Sequence, residues 1–171
     1  NSSIISDKNI QPFVKLQKIA KTKKIKILDI NNLFNKIKLI LNNQNSDFKY
    51  KNIAMAAQAA SLCGIKKELI FKKINKIKDV NGRLELIKKY PNDIKVFVDY
   101  AHTPDALFKT LKSLIKNYGN NISIVFGCGG DRDKKKRPLM AKIANNFCKK
   151  IYLTDDNPGN ENPKKIRDQL S

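Results

Sequence analysis

From Ile94 onward, short apolar runs rich in β-branched residues alternate with longer stretches of helical spacing. The pattern predicts strands over 94–99, 122–126 and 150–154 and helices over 104–117, 137–149 and 162–170. Alternation at this spacing argues for a parallel sheet covered on both faces. Only three strands fit before Ser171. Such a sheet leaves an apolar edge and an uncovered face, so this domain is expected to be incomplete. The fold class is α/β. Its binding chemistry is expected in the loops that leave the carboxyl ends of the strands, where open α/β sheets take their ligands.

Upstream the pattern is helix-rich. Ile10–Ala20 carries Phe13, Leu16 and Ile19 at helical spacing, and KIKILDI at Lys24–Ile30 reads as a strand. Ile37–Leu41 reads as a second strand, with polar loop between the two and again at the NNQNSD stretch before Phe48. Asn52–Cys63 is a small-residue helix whose alanines permit close packing, with Gly64 placed to end it. Lys67–Ile77 is amphipathic, with Leu69, Ile70, Ile74 and Ile77 on one side. A turn at Val80–Gly82 leads to a strand over Arg83–Ile87, and Tyr90-Pro91-Asn92-Asp93 marks the domain boundary. The domains are therefore expected at 1–91 and 92–171.

Two polar clusters follow predicted strands. The first offers Asp99, Tyr100 and His102, then Thr103-Pro104-Asp105 as a helix start. By themselves Asp99 and His102 are compatible with a general-base pair, a metal site or a helix cap. A metal site needs more ligands than the chain shows, and no GxSxG nucleophile motif accompanies them. The second cluster offers Gly127, Gly129 and Gly130, then Asp131, Arg132 and Asp133, and a basic run ending at Arg137-Pro138. It is neither a dinucleotide fingerprint nor a Walker A loop. Arg132 supplies a planar fork suited to a carboxylate or phosphate. Lys134–Lys136 read as a solvated charge run, with Arg137 the member expected to have a structural partner. Arg83-x-Glu85 on its own reads as a surface ion pair, and Asn52, at the expected start of its helix, as a cap.

Composition changes this picture little. The chain has 171 residues and 35 Lys+Arg against 15 Asp+Glu, a formal charge of +20. Such a charge invites a nucleic-acid-binding reading. Yet the lysines are spread along the chain, aromatic interleaving is sparse, and no RNA-recognition string, zinc-finger spacing or basic-region heptad occurs. Lysine, asparagine and isoleucine are abundant throughout, as in translation of an AT-rich genome, so no specific nucleic-acid partner is expected. The three cysteines, Cys63, Cys128 and Cys148, have no CxxC spacing and fit a reduced cytosolic protein. Cys128 reads as a small loop filler rather than a nucleophile. No apolar span of membrane length and no signal peptide is seen, so a soluble, cytoplasmic protein with no membrane partner is expected. The chain starts without Met, and both ends look cut from a longer protein.

The strings DYAHTPDAL, FGCGGDRDKKKRPLM and TDDNP (Thr154–Pro158), with NIAMAAQAA at Asn52–Ala60 and GRLE at Gly82–Glu85, resemble the MurE-type Mur ligases, in the expected order. The resemblance runs from Phe48 to Leu170. Those enzymes use ATP to join a diamino acid to UDP-N-acetylmuramoyl-L-alanyl-D-glutamate in peptidoglycan synthesis. The resemblance implies that residues 1–91 end a central ATP-binding domain and that 92–171 begin a Rossmann-like C-terminal domain. It places Asn52 beside the adenine, Arg83 on ATP near the domain junction, Asp99 on a ribose hydroxyl and His102 along the ATP cleft. Arg132 would bind the carboxylate of the diamino acid, and Asp156, Asn157, Pro158 and Gly159 match the family's amino-acid recognition motif. That motif usually reads Asp-Asn-Pro-Arg in enzymes that use meso-diaminopimelate, and here glycine replaces the arginine. Glycine cannot reproduce a bidentate guanidinium–carboxylate contact, which leaves lysine as the alternative substrate. The family's usual glycine two residues before Phe48 is also replaced, by Ser46. Catalysis through an acyl phosphate, with ATP and Mg2+, is implied. The phosphate loop and magnesium ligands would lie upstream, so there is no metal site or catalytic residue here, and the chain alone is expected to be inactive and monomeric. Folylpolyglutamate synthase and the other Mur ligases are the relatives that differ at the DYAHTP and GCGGDRD strings.

Overall fold

The computed structural model of the chain describes residues 2–41 and 47–170, which form two compact units, 1–78 and 79–171. The replaced glycine position, Ser46, lies outside the described residues.

In the first unit, β1 (Ser3–Ser6) and β2 (Lys26–Asp29) pair in parallel, Ser3 opposite Lys26 and Ser6 opposite Asp29, with α1 (Phe13–Thr22) as the crossover. Helices α2 (Asn31–Ile40), α3 (Asp47–Leu62) and α4 (Lys67–Ile74) follow. The strand expected over Ile37–Leu41, and the polar loop before it, are instead the helix α2. Ile30, Leu33, Phe34, Ile37, Ile40 and Leu41 recur at helical spacing and all join one core with Tyr50, Ala54, Ala57 and Ile74. Leu39 breaks the apparent strand run, being 78% exposed. Ala54 and Ala57 lie one turn apart on the buried face of α3, where their small size brings α2 and α4 close. Asn52 is an exposed residue inside α3 and not its cap, because that helix already begins at Asp47. The fourth helix stops before Ile77, which is exposed. At the carboxyl ends of β1 and β2 the buried Asp7 pairs with Lys51 at 2.5 Å and accepts the Asn9 N–H at 2.8 Å. Burial by itself pushes the Asp7 carboxyl up, but these donors outweigh it and hold the group below its ordinary value.

The second unit contains β3 (Glu85–Lys89), β4 (Lys95–Val98), α5 (Pro104–Tyr118), β5 (Ser123–Phe126), α6 (Lys136–Phe147), β6 (Lys150–Leu153) and α7 (Pro163–Asp168). The parallel pairing expected of the second and third strands is present: β5 and β6 align from Ser123–Lys150 to Phe126–Leu153. The first does not join them. β4 pairs antiparallel with β3 through the tight turn at Pro91–Asp93, where the Tyr90 N–H bonds the Ile94 carbonyl. Tyr90–Asp93 is therefore the bend of a hairpin, and the break between the compact units falls at 78/79. A preceding strand a few residues away closes a pairing at little entropic cost.

Local signals place the helices. Thr103 caps α5 by accepting the Ala106 N–H at 3.3 Å, Pro104 opens it, and Gly119, at φ +83°, ends it. Asn162 caps α7 through the Lys164 and Lys165 N–H groups. Leu107 and Leu111 of α5, Met140 of α6, and Ile166 and Leu170 beyond β6 bury one face of the β5–β6 pair together with Cys128. The opposite face shows Val125 and Tyr152 exposed.

Candidate substrate-binding site

Because β5 and β6 run side by side in parallel, the loops that leave them are neighbours. The first runs from Gly127 to Lys135 and the second from Thr154 to Asn162. The Thr154 N–H bonds the Phe126 carbonyl, extending the ladder into both loops, and the Gly130 N–H bonds the Asn157 carbonyl at 2.8 Å. Two glycines make this approach feasible. A Cβ on Gly127 would overlap the Thr154 carbonyl, and one on Gly130 would overlap the Pro158 carbonyl. These glycines serve loop-to-loop packing.

Asp131 follows at φ +53°, a conformation that L-residues rarely adopt. It is fixed at both ends: its N–H donates to Glu161 Oε1 at 2.8 Å, and its Oδ2 accepts from the Asn160 backbone and amide nitrogens at 2.9 and 3.1 Å. Arg137, fully buried, forms a bidentate pair with Glu161 at 2.9 and 3.0 Å and also donates to Gln169 Oε1 and to the Gly129 carbonyl. The Arg137 hydrogen bonds, with further donation from the Asp131 N–H and Lys134, hold the Glu161 carboxyl at about 2, against an ordinary value of 4.5. A depressed folded-state value means that this pairing stabilises fully above pH 4.5 and is lost as pH falls through about 2. The urea midpoint of the wild type is therefore expected to fall steeply across that window, and that of Glu161→Gln to fall less; superimposable profiles would refute the assignment.

Among the described residues, Arg132 is exposed and its guanidinium has no hydrogen-bond or ion-pair partner. It flanks Gly129 together with Asp156. A Cβ built on that glycine would stand 3.9 Å from Arg132 Cγ and 3.7 Å from Asp156 Oδ2. Asp156 accepts the Asn157 N–H at 2.7 Å, and Asn157, which is exposed, accepts the Gly159 N–H on Oδ1 at 3.2 Å. Pro158 is half-buried beneath Gly130. Gly159 takes φ +55°, and a side chain there would collide with the Asp131 carboxylate. A larger residue at 159 would require the Asp131 carboxylate to turn aside and give up Asn160.

The loop after β4 carries the second set. Asp99 Oδ1 accepts from the Ala101 N–H and the Thr110 hydroxyl at 3.0 Å each, and Oδ2 from the Leu84 N–H at 2.7 Å. Asp99 thus anchors the Gly82–Leu84 turn. Arg83 does not pair with Glu85: Glu85 accepts the Gly82 N–H at 2.6 Å, while the Arg83 guanidinium stacks over Tyr100 at 4.4 Å. Tyr100 meets His102 edge-on at 5.0 Å, and His102 Nδ1 donates to the Tyr100 carbonyl, leaving Nε2 as the free nitrogen. Lys136 donates to the His102 carbonyl, tying this loop to the start of α6. The structure thus groups Arg83 and His102 on the Tyr100 ring, with Asp99 joined to them through the Leu84 N–H, and separately Arg132 with Asp156–Gly159. Asn52 belongs to the first unit. Glu161 went unread in the sequence; the signal that pointed to it was a buried-type arginine, Arg137, in need of an acid. Cys128 is buried with its Sγ 3.8 Å from Met140 Sδ, and burial pushes its thiol up, which suits a packing role.

The profile of the Mur ligase glutamate ligase domain matches residues 82–171, more than half of the chain. The chain belongs to the Mur ligase family. This Mur ligase segment is 46% identical over 125 residues to the UDP-N-acetylmuramoyl-L-alanyl-D-glutamate–2,6-diaminopimelate ligase of Rickettsia typhi, covering 72% of the chain and 25% of the relative. It is 45% identical over 126 residues to the enzyme of the same name from Fusobacterium nucleatum, covering 72% and 26%. The chain spans about a quarter of the length of the curated relatives it matches. Among solved structures, its fold is similar to UDP-N-acetylmuramate–alanine ligase from Thermotoga maritima (TM-score 0.55, 20% identity, 74% of the chain and 27% of that structure). It is also similar to folylpolyglutamate synthetase from Helicobacter pylori (TM-score 0.54, 21% identity, 99% and 43%). Among the described residues no helix of this Mur ligase segment is long and apolar enough to cross a membrane.

Proposed function

We propose that the full-length protein is a cytoplasmic ATP-dependent amide ligase that adds a diamino acid, meso-diaminopimelate in the first instance, to UDP-N-acetylmuramoyl-L-alanyl-D-glutamate. In this reading the first unit closes the central ATP-binding domain and the second opens the C-terminal domain. The observation that carries the reading is the exposed, unpartnered Arg132 beside Asp156 around Gly129. A zwitterionic amino acid needs a planar cation for its carboxylate and an anion for its ammonium, and these two side chains supply both. Asn157 adds an amide donor, while Pro158 and Gly159 shape the turn that presents it. Relatives named as diaminopimelate ligases support the substrate class. Gly159 supplies no guanidinium for a distal carboxylate, which favours L-lysine as the second reading.

For the nucleotide, the stacked Arg83–Tyr100–His102 group offers an aromatic face, a cation and the free Nε2 of His102. Asp99 keeps acceptor capacity on Oδ2 for a ribose hydroxyl. The γ-phosphoryl group of ATP passes to the side-chain carboxylate of D-glutamate, releasing ADP and forming an acyl phosphate. The amine nitrogen then attacks the acyl carbon, its C–N bond forms, the C–O bond to phosphate breaks, and the amine sheds a proton as phosphate leaves. Arg132 holds the incoming diamino acid by a carboxylate and Asp156 holds one ammonium, which leaves the other amino group to attack. Magnesium, when bound, screens the charge of the phosphates. The described residues contain no cluster of three or more His, Cys, Asp or Glu side chains suited to a metal, so no residue of this chain is assigned to the ion.

ADP release by the full-length protein tests this. With UDP-N-acetylmuramoyl-L-alanyl-D-glutamate and ATP, addition of meso-diaminopimelate is expected to stimulate turnover. Stimulation by lysine alone would transfer the assignment to lysine and make Gly159 the discriminating position. Stimulation by neither would overturn the ligase reading.

A further inference from the structure

Arg137 is an ionised side chain with no exposed surface, and Glu161 retains 15% of its side-chain area. Burying an ion pair is seldom the cheapest way to stabilise a fold, since apolar residues of similar volume do as well or better. The contacts of this pair point to a geometric task. Arg137 touches the first loop at the Gly129 carbonyl (3.1 Å) and the second through both oxygens of Glu161. Glu161 reaches back across the gap to the N–H of Asp131, the residue immediately before Arg132. Asp131 in turn holds Asn160, and Gly130 holds Asn157. Gln169, at the end of α7, braces the guanidinium from the far side. The only backbone between this braced cluster and the exposed Arg132 is a single residue at φ +53°.

We propose that Arg137 and Glu161 are a positioning pair for substrate: they lock the loop bearing Arg132 to the loop bearing Asp156 and Asn157 and thereby set the spacing at which an amino acid is received. The inference rests on the ligase reading above. Neither residue touches substrate. They act by fixing the Gly130–Asp131 peptide, one residue ahead of the Cα from which the Arg132 side chain departs, and a small displacement there is magnified at the guanidinium.

The test uses the full-length protein and two mild variants. Glu161→Gln keeps an acceptor for the Asp131 N–H but removes the charge. Arg137→Lys keeps the charge but lacks the second nitrogen needed to grip Glu161 and Gly129 together. In ADP-release assays with each substrate varied in turn, both variants are expected to raise KM for the diamino acid roughly tenfold. KM for ATP should stay within about twofold. Amide hydrogen exchange is expected to quicken at 129–132 and 157–161 while α5 and α6 keep their protection. A purely structural pair would lower the active fraction with both KM values unchanged and exchange raised throughout the unit, and that result would overturn the proposal. A wild type stimulated by a diamino acid, with variants indistinguishable from it, would overturn the positioning role alone. A wild type stimulated by none would overturn the ligase reading and this role with it.

Discussion

Replacing Arg137 by methionine is expected to lower the unfolding free energy of the second unit by about 3 kcal/mol, the lower end of what removing one partner of a buried ion pair costs. Methionine fills much of the volume and leaves three acceptors behind: the Glu161 carboxylate, the Gln169 carbonyl and the Gly129 carbonyl. Glu161 is not wholly sealed, and Lys134 at 3.1 Å remains to compensate it, which is why the lower end applies. The double replacement Arg137→Met with Glu161→Leu is expected to recover more than half of the loss, because the stranded charge disappears with its partner. Urea unfolding of the full-length protein and the two variants measures both quantities. A loss below about 1 kcal/mol for the single variant would show that the pair is solvated in solution.

Gly130→Ala is expected to be about as damaging, at roughly 2–3 kcal/mol. The added methyl group meets the Pro158 carbonyl, which is backbone and cannot rotate out of the way as a flexible side chain would. To relieve the overlap the two loops must part, which breaks the 2.8 Å bond from Gly130 to Asn157 and pulls Asp131 away from Glu161. Under the ligase function proposed above, the consequence is weaker capture of the amino acid, seen as a higher KM for the diamino acid in an ADP-release assay of the full-length protein. Gly129→Ala is the matched control. Its Cβ would lie 3.5 Å from the Asn157 carbonyl, an ordinary contact, and its effect on stability is expected to stay within about 0.5 kcal/mol. Equal losses for the two alanines would mean that the loops are not packed as described.

The elements that local chemistry specifies were legible. Thr103-Pro104 and Gly119 delimit α5 where the capping rules place them, and the alternating strands and helices after Ser123 follow the predicted order. Where a short window misleads, the reading failed. Ile37–Leu41 looks like a strand when taken alone, but the stripe that includes Ile30, Leu33 and Phe34 has the period of a helix, and Ile37 ends fully buried within it. Asn52 looks like a helix start only when Asp47 is counted with the polar NNQNSD stretch, whereas the helix begins at Asp47.

The sequence by itself determined the chemical inventory of the candidate site: a basic fork at Arg132, the acid and amide of Asp156-Asn157, and the Asp99–His102 loop. These sit in turns whose residue types are dictated locally, by glycine, proline and capping side chains. Tertiary structure alone decided which partner each group would take. β4 chose the antiparallel β3 over the expected parallel sheet, and Arg83 chose the Tyr100 ring over Glu85. Arg137 found Glu161 at a separation of 24 residues. Hydrogen-bond partners and buried charges are settled by which loops the packed strands bring together, and no periodicity along the chain encodes that distance.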